Sequence, residues 1–426
     1  MSVKNGHMSG KIAYLTGEYP RATDTFIQRE VAGLRDLGLQ VETCSIRRTG
    51  VDHLVGAEQI AEAKNTFYIL AQAKRPLRLI VTHIEALIRN PVGYFKTLAL
   101  AYQTRPLGVK GTLYQLFYFI EAIVLAAYLR DRKIAHLHNH IAKSSCSVAM
   151  LASHFSGVPY SFTLHGPDIF FDPMHWRLDE KIKRASFVSC ISHYCRSQAM
   201  IWSRPVDWDK LHIVHCGVDP ARYKAAKIVQ NSPLKLTFVG RLAAVKGLPV
   251  LFQALKTLSY QGVDFELDVI GDGPDRAALE VLAQRGALQG RINFLGYKSQ
   301  SDVAEFLTQS DVFVLPSFAE GLPVVLMEAL AASVPVVATQ IAGVSELVQD
   351  GVNGYLVSAG DETALADKLD VLMRNPKLRS KMGKSGAEIV AQEFDISKET
   401  SRLAQLFKNY HLGHKAMDIR PRGCDE

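Results

Sequence analysis

Five side chains in this 426-residue chain combine charge or basicity with a suggestive setting: Glu320, Glu328, Arg241, Lys246 and His165. The two glutamates stand eight positions apart in "FAEGLPVVLMEALAASVPVV", residues 318–337, an otherwise apolar run. Buried carboxylates are costly unless partnered. As anions they accept hydrogen bonds, so they suit hydroxyl donors such as a ribose diol or a sugar ring. A satisfied ion pair is the bland alternative. Pro323 fits the first turn of a helix running roughly 324–332, where its missing N–H has no intrahelical partner. That helix start offers free backbone N–H groups to an anion, and the dipole adds ~0.3–1 kcal/mol.

"FVGRLAAVKG", residues 238–247, reads as a strand delivering Arg241 to a turn and Lys246 to the head of the next helix. Gly240 and Gly247 permit close approach, and the two cations suit a diphosphate, at ~1.5–3 kcal/mol for each charge-assisted bond. Surface charges on a loop are the alternative. "TLHGPDIF", residues 163–170, puts His165 at the carboxyl end of a strand with Asp168 placed to orient the loop.

"HLHNH" places His136, His138 and His140 in alternation. Three imidazoles could ligate a metal, yet no acidic or cysteine partner lies nearby in sequence. Acceptor contact by His138 or His140, or plain packing, is preferred. "DWD" at 207–209 has the D-x-D form of a metal–diphosphate motif but sits in a polar loop. "GDGPDR" carries Arg276 where the dinucleotide fingerprint needs its third glycine.

The elements that must position these residues alternate strand and helix. "KIAYLT" (11–16) is a short apolar run ending at Gly17; "TFIQREVAGLRDLG" has helical spacing, with Glu30 among Phe26, Ile27, Val31, Leu34 and Leu37; "LQVETCSI" alternates. Strands at 134–138, 159–165, 185–192 and 211–219 complete the first half. A turn-prone stretch from Asp219 to Pro233 is the linker, after which the pattern restarts at "LKLTFVG" and continues through "FELDVIGDG", "INFLG", "DVFVLP" and "VPVVAT". The expectation is an α/β chain of two doubly wound, Rossmann-like domains facing across a cleft, with ligands at the carboxyl ends of parallel strands. The domains are 1–218 and 219–395, and 396–426 forms a helix returning toward the first domain plus a tail.

The composition is ordinary for a globular protein, 48% hydrophobic and 21% charged. Six cysteines without a CxxC pair fit a reducing compartment. The polar start "MSVKNGHMSG" reads as a flexible leader, not a signal peptide. The longest apolar run, 113–129, is interrupted by Glu121 and falls short of a membrane span. Residues 74–133 hold ten Lys/Arg against three acids, which accounts for the whole net charge of +7, and they carry eight aromatics. Basic, aromatic and apolar together describe either a surface that leans on anionic lipid or a set of core helices with solvated lysines.

Six segments in order resemble glycosyltransferase family GT4, the retaining group 1 transferases of GT-B fold: "LHGPDIF", "VHCGVDPARY", "VGRLAAVKG", "IGDGP", the E-x7-E segment "EGLPVVLMEALAASVPVVAT" and "AGVSELVQDGVNGYLV". "GEYPRATDTFIQREV" is similar to the P-x-x-S-E-T-F loop of exopolysaccharide and colanic-acid-type transferases, with Thr23 and Asp24 in place of Ser and Glu. The resemblance implies a retaining hexosyltransferase using a nucleotide diphosphate sugar, with a mild preference for UDP, and a glycan or lipid-linked acceptor. Arg241 and Lys246 would hold the diphosphate, with Glu328 on the ribose. Glu320 with Gly321 and Leu322 would hold donor sugar and phosphate, and His165 would lie beside the reacting carbon. Many members carry a Gly-Gly pair where this chain has only Gly17 and Glu18, so Gly17 joins Asp168, His138 and His140 as acceptor-side or loop candidates. No metal, cofactor or nucleic acid is expected. The expected location is cytoplasmic, with peripheral contact at the inner membrane through residues 74–133. A nucleotide-sugar 2-epimerase of the same fold and a non-catalytic nucleotide-sugar-binding partner are the competing readings.

Overall fold

Short apolar runs separated by helices form a parallel sheet when both faces are covered, and the chain does this twice. A computed structural model describes residues 10–21, 24–54, 56–223 and 233–413. The leader, Thr23, most of the expected linker and residues 414–426 lie outside the described residues. The chain divides into unit 1, Met1–His215 with Glu399–Glu426, and unit 2, Cys216–Lys398.

Unit 1 contains β1 (Lys11–Tyr19), β2 (Val41–Arg48), β3 (Phe67–Tyr68), β4 (Ile134–His140), β5 (Tyr160–Leu164), β6 (Val188–Cys190) and β7 (Leu211–Ile213) in the order β3-β2-β1-β4-β5-β6-β7. Unit 2 contains β8 (Leu234–Val239), β9 (Phe265–Ile270), β10 (Ile292–Gly296), β11 (Val312–Leu315), β12 (Val336–Thr339) and β13 (Gly354–Val357) in the order β10-β9-β8-β11-β12-β13. Neighbouring strands pair in parallel throughout both sheets. Each sheet is therefore Rossmann-like, as the alternation of elements predicts. The strand order reverses between β1 and β4 in one unit and between β8 and β11 in the other, the switch points beside which ligands bind in such sheets.

Several boundaries differ from those read in the sequence. β1 runs through Gly17 to Tyr19, and Glu18 is paired in register with Arg47, so Gly17 belongs to a strand and not to a loop. The strands expected at 185–192 and 211–219 shrink to three residues each. Pro323 caps the helix Val324–Ala331 from outside, because its ψ of 115° is extended. The apolar run 113–129 lies in a helix, Val109–Asp131, that is long and apolar enough by length and composition to cross a membrane; half of its most apolar window is buried in the protein. Its buried residues include Phe119 and Glu121 to Ala126.

The helix Thr25–Asp36 turns Ile27, Val31 and Leu34 into the unit 1 core, and Glu30 shares that buried face. The final helix, Ile396–His411, contributes Leu403, Ala404, Leu406 and Phe407 to the same core cluster.

Candidate functional site

The unit 2 residues converge because three loops at the carboxyl ends of its central strands lock together. The loop after β8 carries Arg241 and Lys246, and the loop after β11 carries Ser317 and Glu320. Phe318 N–H donates to the Val245 carbonyl at 2.8 Å, joining the two. Gly247, at φ +66°, lies so close that a Cβ there would stand 2.0 Å from the Pro316 carbonyl oxygen. Gly271, after β9 at φ +129°, approaches the Gly240 carbonyl as closely. Only glycine satisfies both the left-handed backbone and the contact.

Within this junction Lys246 Nζ lies 2.5 Å from Glu320 Oε1, and Ser317 Oγ donates to the same oxygen at 2.6 Å. Glu320 is buried and Lys246 largely so, while Arg241 is exposed. The sequence assigned Lys246 to a diphosphate and Glu320 to a sugar; the fold joins them first to each other. This pairing neutralises the buried carboxylate, which would otherwise be expensive. Gly321 and Leu322 are buried just before the helix Val324–Ala331, and the Gly321 carbonyl accepts from Gly343 N–H at 3.0 Å. Glu328 is buried in the second turn of that helix.

In unit 1, His165 follows β5 directly. Its Nε2 is 3.1 Å from His140 Nδ1, and His140 Nε2 is 2.8 Å from Glu30 Oε1, which also accepts from Tyr14 OH at 2.8 Å. Burial, and then the His140 ring, hold the His165 imidazole well below its ordinary value, so this ring is neutral. With His140 Nε2 against Glu30 and Nδ1 against His165, the donor and acceptor order along the three groups follows from the tautomer of His140.

His138 is fully buried, its Nδ1 2.7 Å from Ser161 Oγ and its Nε2 2.9 Å from Thr163 Oγ1. Burial and the neighbouring histidines push its pKa well down. His138 and His140, offered by the sequence either as acceptor contacts or as packing, are both buried with both ring nitrogens engaged. The apparent lack of an acid near the histidines is corrected. Glu30, His138 and His140 bring possible metal-donor atoms within 4.8 Å of one another. Glu30 already bonds to Tyr14 and His140, and His138 to Ser161 and Thr163, so an ion would compete with existing hydrogen bonds. Asp168 is exposed and pairs with Lys143 at 2.6 Å, a loop-orienting contact.

The decoys resolve on geometry. Asp207 of "DWD" is held by Arg204 at 3.1 Å and Lys210 at 2.8 Å. Arg276 bonds Asp272 and Glu280, each at 2.8 Å. Ser317, Tyr14, Ser161 and Thr163 were not singled out in the sequence. Glu30 had a visible signal, an acid on the apolar face of an amphipathic helix.

The profile of the group 1 glycosyl transferases matches residues 221–389, and that of glycosyltransferase family 4 matches 85–222. WcaL of Salmonella typhimurium, assigned to colanic acid biosynthesis, is 27% identical over 412 residues, 93% of this chain and 99% of that one. The amylovoran biosynthesis glycosyltransferase AmsK of Erwinia amylovora is 34% identical over 165 residues, 37% of this chain and 40% of that one. In fold, HepE of Anabaena in complex with UDP matches with a TM-score of 0.70 at 18% identity, over 94% of this chain and 100% of that one. The chain is thus a glycosyltransferase of the GT-B fold. It is related to the family 4 and group 1 transferases, whose profiles each match part of the chain, and is similar to those of colanic-acid and exopolysaccharide biosynthesis.

Proposed function

We propose that the protein is a retaining hexosyltransferase that uses a UDP-sugar, works without a metal, and extends a glycan or lipid-linked acceptor for cell-surface polysaccharide. The observation that carries this reading is the Lys246–Glu320 pair at the β8/β11 switch point, flanked by Arg241 and the start of the helix Val324–Ala331. A departing diphosphate meets Arg241, the Lys246 ammonium and helix N–H groups, so developing charge is stabilised electrostatically without an ion. Glu320, already neutralised by Lys246, accepts from donor-sugar hydroxyls. Glu328 is assigned to the ribose and His165 to the reacting sugar. Among the described residues of this site no side chain is a convincing covalent nucleophile, which favours same-face attack. UDP is preferred because HepE, similar in fold, was solved with it.

The test is thermal stability against a panel of nucleotides and nucleotide sugars in EDTA. A ligand at 100 times its Kd adds about 2.7 kcal/mol. A shift with uridine nucleotides that persists in EDTA is expected, followed by an α-linked product from an α-linked donor. A shift that EDTA abolishes, or an inverted product, overturns the reading.

Peripheral docking of this cytoplasmic enzyme on the inner membrane belongs to the same proposal. Half of the exposed large hydrophobics among the described residues, 14 of 28, fall between Leu77 and Phe117. The helix Pro76–Arg89 exposes Leu77, Ile80, Val81, Ile84 and Ile88 beside Arg75, Arg78 and Arg89. Such a face suits anionic lipid. Ile80→Glu with Ile84→Glu is expected to abolish co-sedimentation with phosphatidylglycerol vesicles at low salt; sedimentation equal to the unaltered protein overturns the docking surface.

A further inference from the structure

Glu30 is 8% exposed and His140 is fully buried, whereas His165 is partly exposed at the carboxyl end of β5. The three side chains form a line from the interior of unit 1 toward its surface. Glu30 Oε1 lies 2.8 Å from His140 Nε2, and His140 Nδ1 lies 3.1 Å from His165 Nε2. Behind the line, Tyr14 OH donates to the same Glu30 oxygen at 2.8 Å. Its outer end, His165, is the one member that the proposed function places beside the reacting sugar.

Stability alone does not call for this line. Glu30 sits with Ile27, Val31 and Leu34 on the buried face of the helix Thr25–Asp36. Replacing a buried ionised group and its partner by apolar residues of similar volume is often neutral or stabilising, so an acid kept there has a task besides packing. The same helix supports the outer end. Phe26, one turn before Glu30, packs its ring against that of His165 with centroids 4.9 Å apart. The His140 ring has Tyr14 and His138 beside it, at 5.5 and 5.2 Å between centroids. These rings are held by packing as well as by hydrogen bonds.

Hydrogen-bond chemistry gives the line a direction. An ionised carboxylate only accepts, so Glu30 against a neutral His140 needs the proton on Nε2. His140 Nδ1 is then an acceptor, and a neutral His165 meets it with Nε2–H. The reverse order needs a protonated Glu30 or a His140 cation.

We propose that Glu30 and His140 are positioning residues for the transfer: they hold His165 in its Nε2–H tautomer and in one orientation, and they place the Glu30 charge behind the ring assigned to the reacting sugar. Cleavage of a glycosidic bond passes through a state with positive charge on the sugar, and a preorganised negative charge in a buried setting favours that state. The inference deepens the proposed function and rests on its assignment of His165.

The tautomers are read by nitrogen-15 NMR of the histidine-labelled full chain, with the two rings assigned from the signals lost in His140→Gln and His165→Gln. Both rings are expected in the Nε2–H form; a His165 carrying its proton on Nδ1, or a mixture of forms, overturns the proposal. Kinetics follow UDP release from the UDP-sugar that gives the thermal shift. Glu30→Gln keeps the shape and removes the charge, and should lower kcat by roughly 10–10² with KM within about threefold of the unaltered value. His165→Ala should lower kcat at least as far, and adding Glu30→Gln to it should cost nothing more, because Glu30 acts through His165. Losses that multiply in the double variant mark a structural role and overturn the proposal. A loss in His165→Ala with none in Glu30→Gln overturns the positioning role alone; His165→Ala at full kcat overturns the assignment of His165 and the positioning role with it. If Glu30→Gln fails to fold, the tautomer of His165 in the unaltered protein decides.

Discussion

Lys246 and Glu320 each solve a problem for the other, and removing one exposes it. Lys246→Met leaves Glu320 with Ser317 as its named partner and is expected to cost about 1.5–3 kcal/mol of stability. It should also lower kcat/KM by roughly 10²–10³, as for other groups stabilising a developing anion. Combining it with Glu320→Gln removes both charges, so denaturant melts of the double variant should show less destabilisation than the two single variants summed; strict additivity would mean the pair is not coupled. Glu121 poses the opposite problem. Burial pushes its carboxyl up to about 7 from an ordinary 4.5, and Arg47 only partly opposes this. Below the lower value both folded and unfolded states are protonated. As pH rises the unfolded chain releases the proton first, so stability falls between about 4.5 and 7 and then levels, with a loss of roughly 3 kcal/mol. Glu121→Gln should abolish this contribution, so its stability relative to the unaltered protein should climb over that window in pH-dependent urea melts. Parallel curves would show that Glu121 does not titrate there.

At the scale of elements, the donor loops depend on an approach distance that only glycine permits. Gly247→Ala forces a Cβ to within 2.0 Å of the Pro316 carbonyl, in a left-handed backbone, and must part the β8 and β11 loops. We expect a loss of roughly 2–4 kcal/mol by steric strain and at least tenfold weaker nucleotide binding; isothermal titration showing unchanged affinity would mean the junction is not part of the donor site. This junction was legible because its constraints are local: a strand, two glycines and two cations lie within ten residues, and the glutamates lie one helix apart. The histidine network was less legible. Its acid, Glu30, comes from a helix 110 positions away from His140, and no pattern along the chain joins them. The length of β1 was also hidden. Gly17 reads as punctuation in a sequence, yet the neighbouring pairing of Glu18 with Arg47 carries the strand through it.

At the scale of the whole molecule, the last helix completes a core begun by the first strand. Leu403, Leu406 and Phe407 are each at most 1% exposed and pack in one cluster with Ile12, Ile27, Val31 and Phe187. Thr400 lies against Gly33, where an added Cβ would meet it at 3.0 Å. Glu399, which is buried, accepts from His215 N–H at 2.8 Å. Unit 1 is thus discontinuous in sequence, and its stability depends on residues made after the whole of unit 2. Burying those three side chains contributes on the order of 5–9 kcal/mol, comparable with the entire stability of an ordinary domain. A chain ending at Lys398 should therefore lose the folding transition of unit 1 while unit 2, continuous from Cys216 to Lys398, keeps its own. Calorimetry should show one transition in place of two, and that transition should still rise with uridine nucleotides, whose proposed contacts lie in unit 2. Two intact transitions in the shortened chain would show that the helix decorates unit 1 and does not complete it.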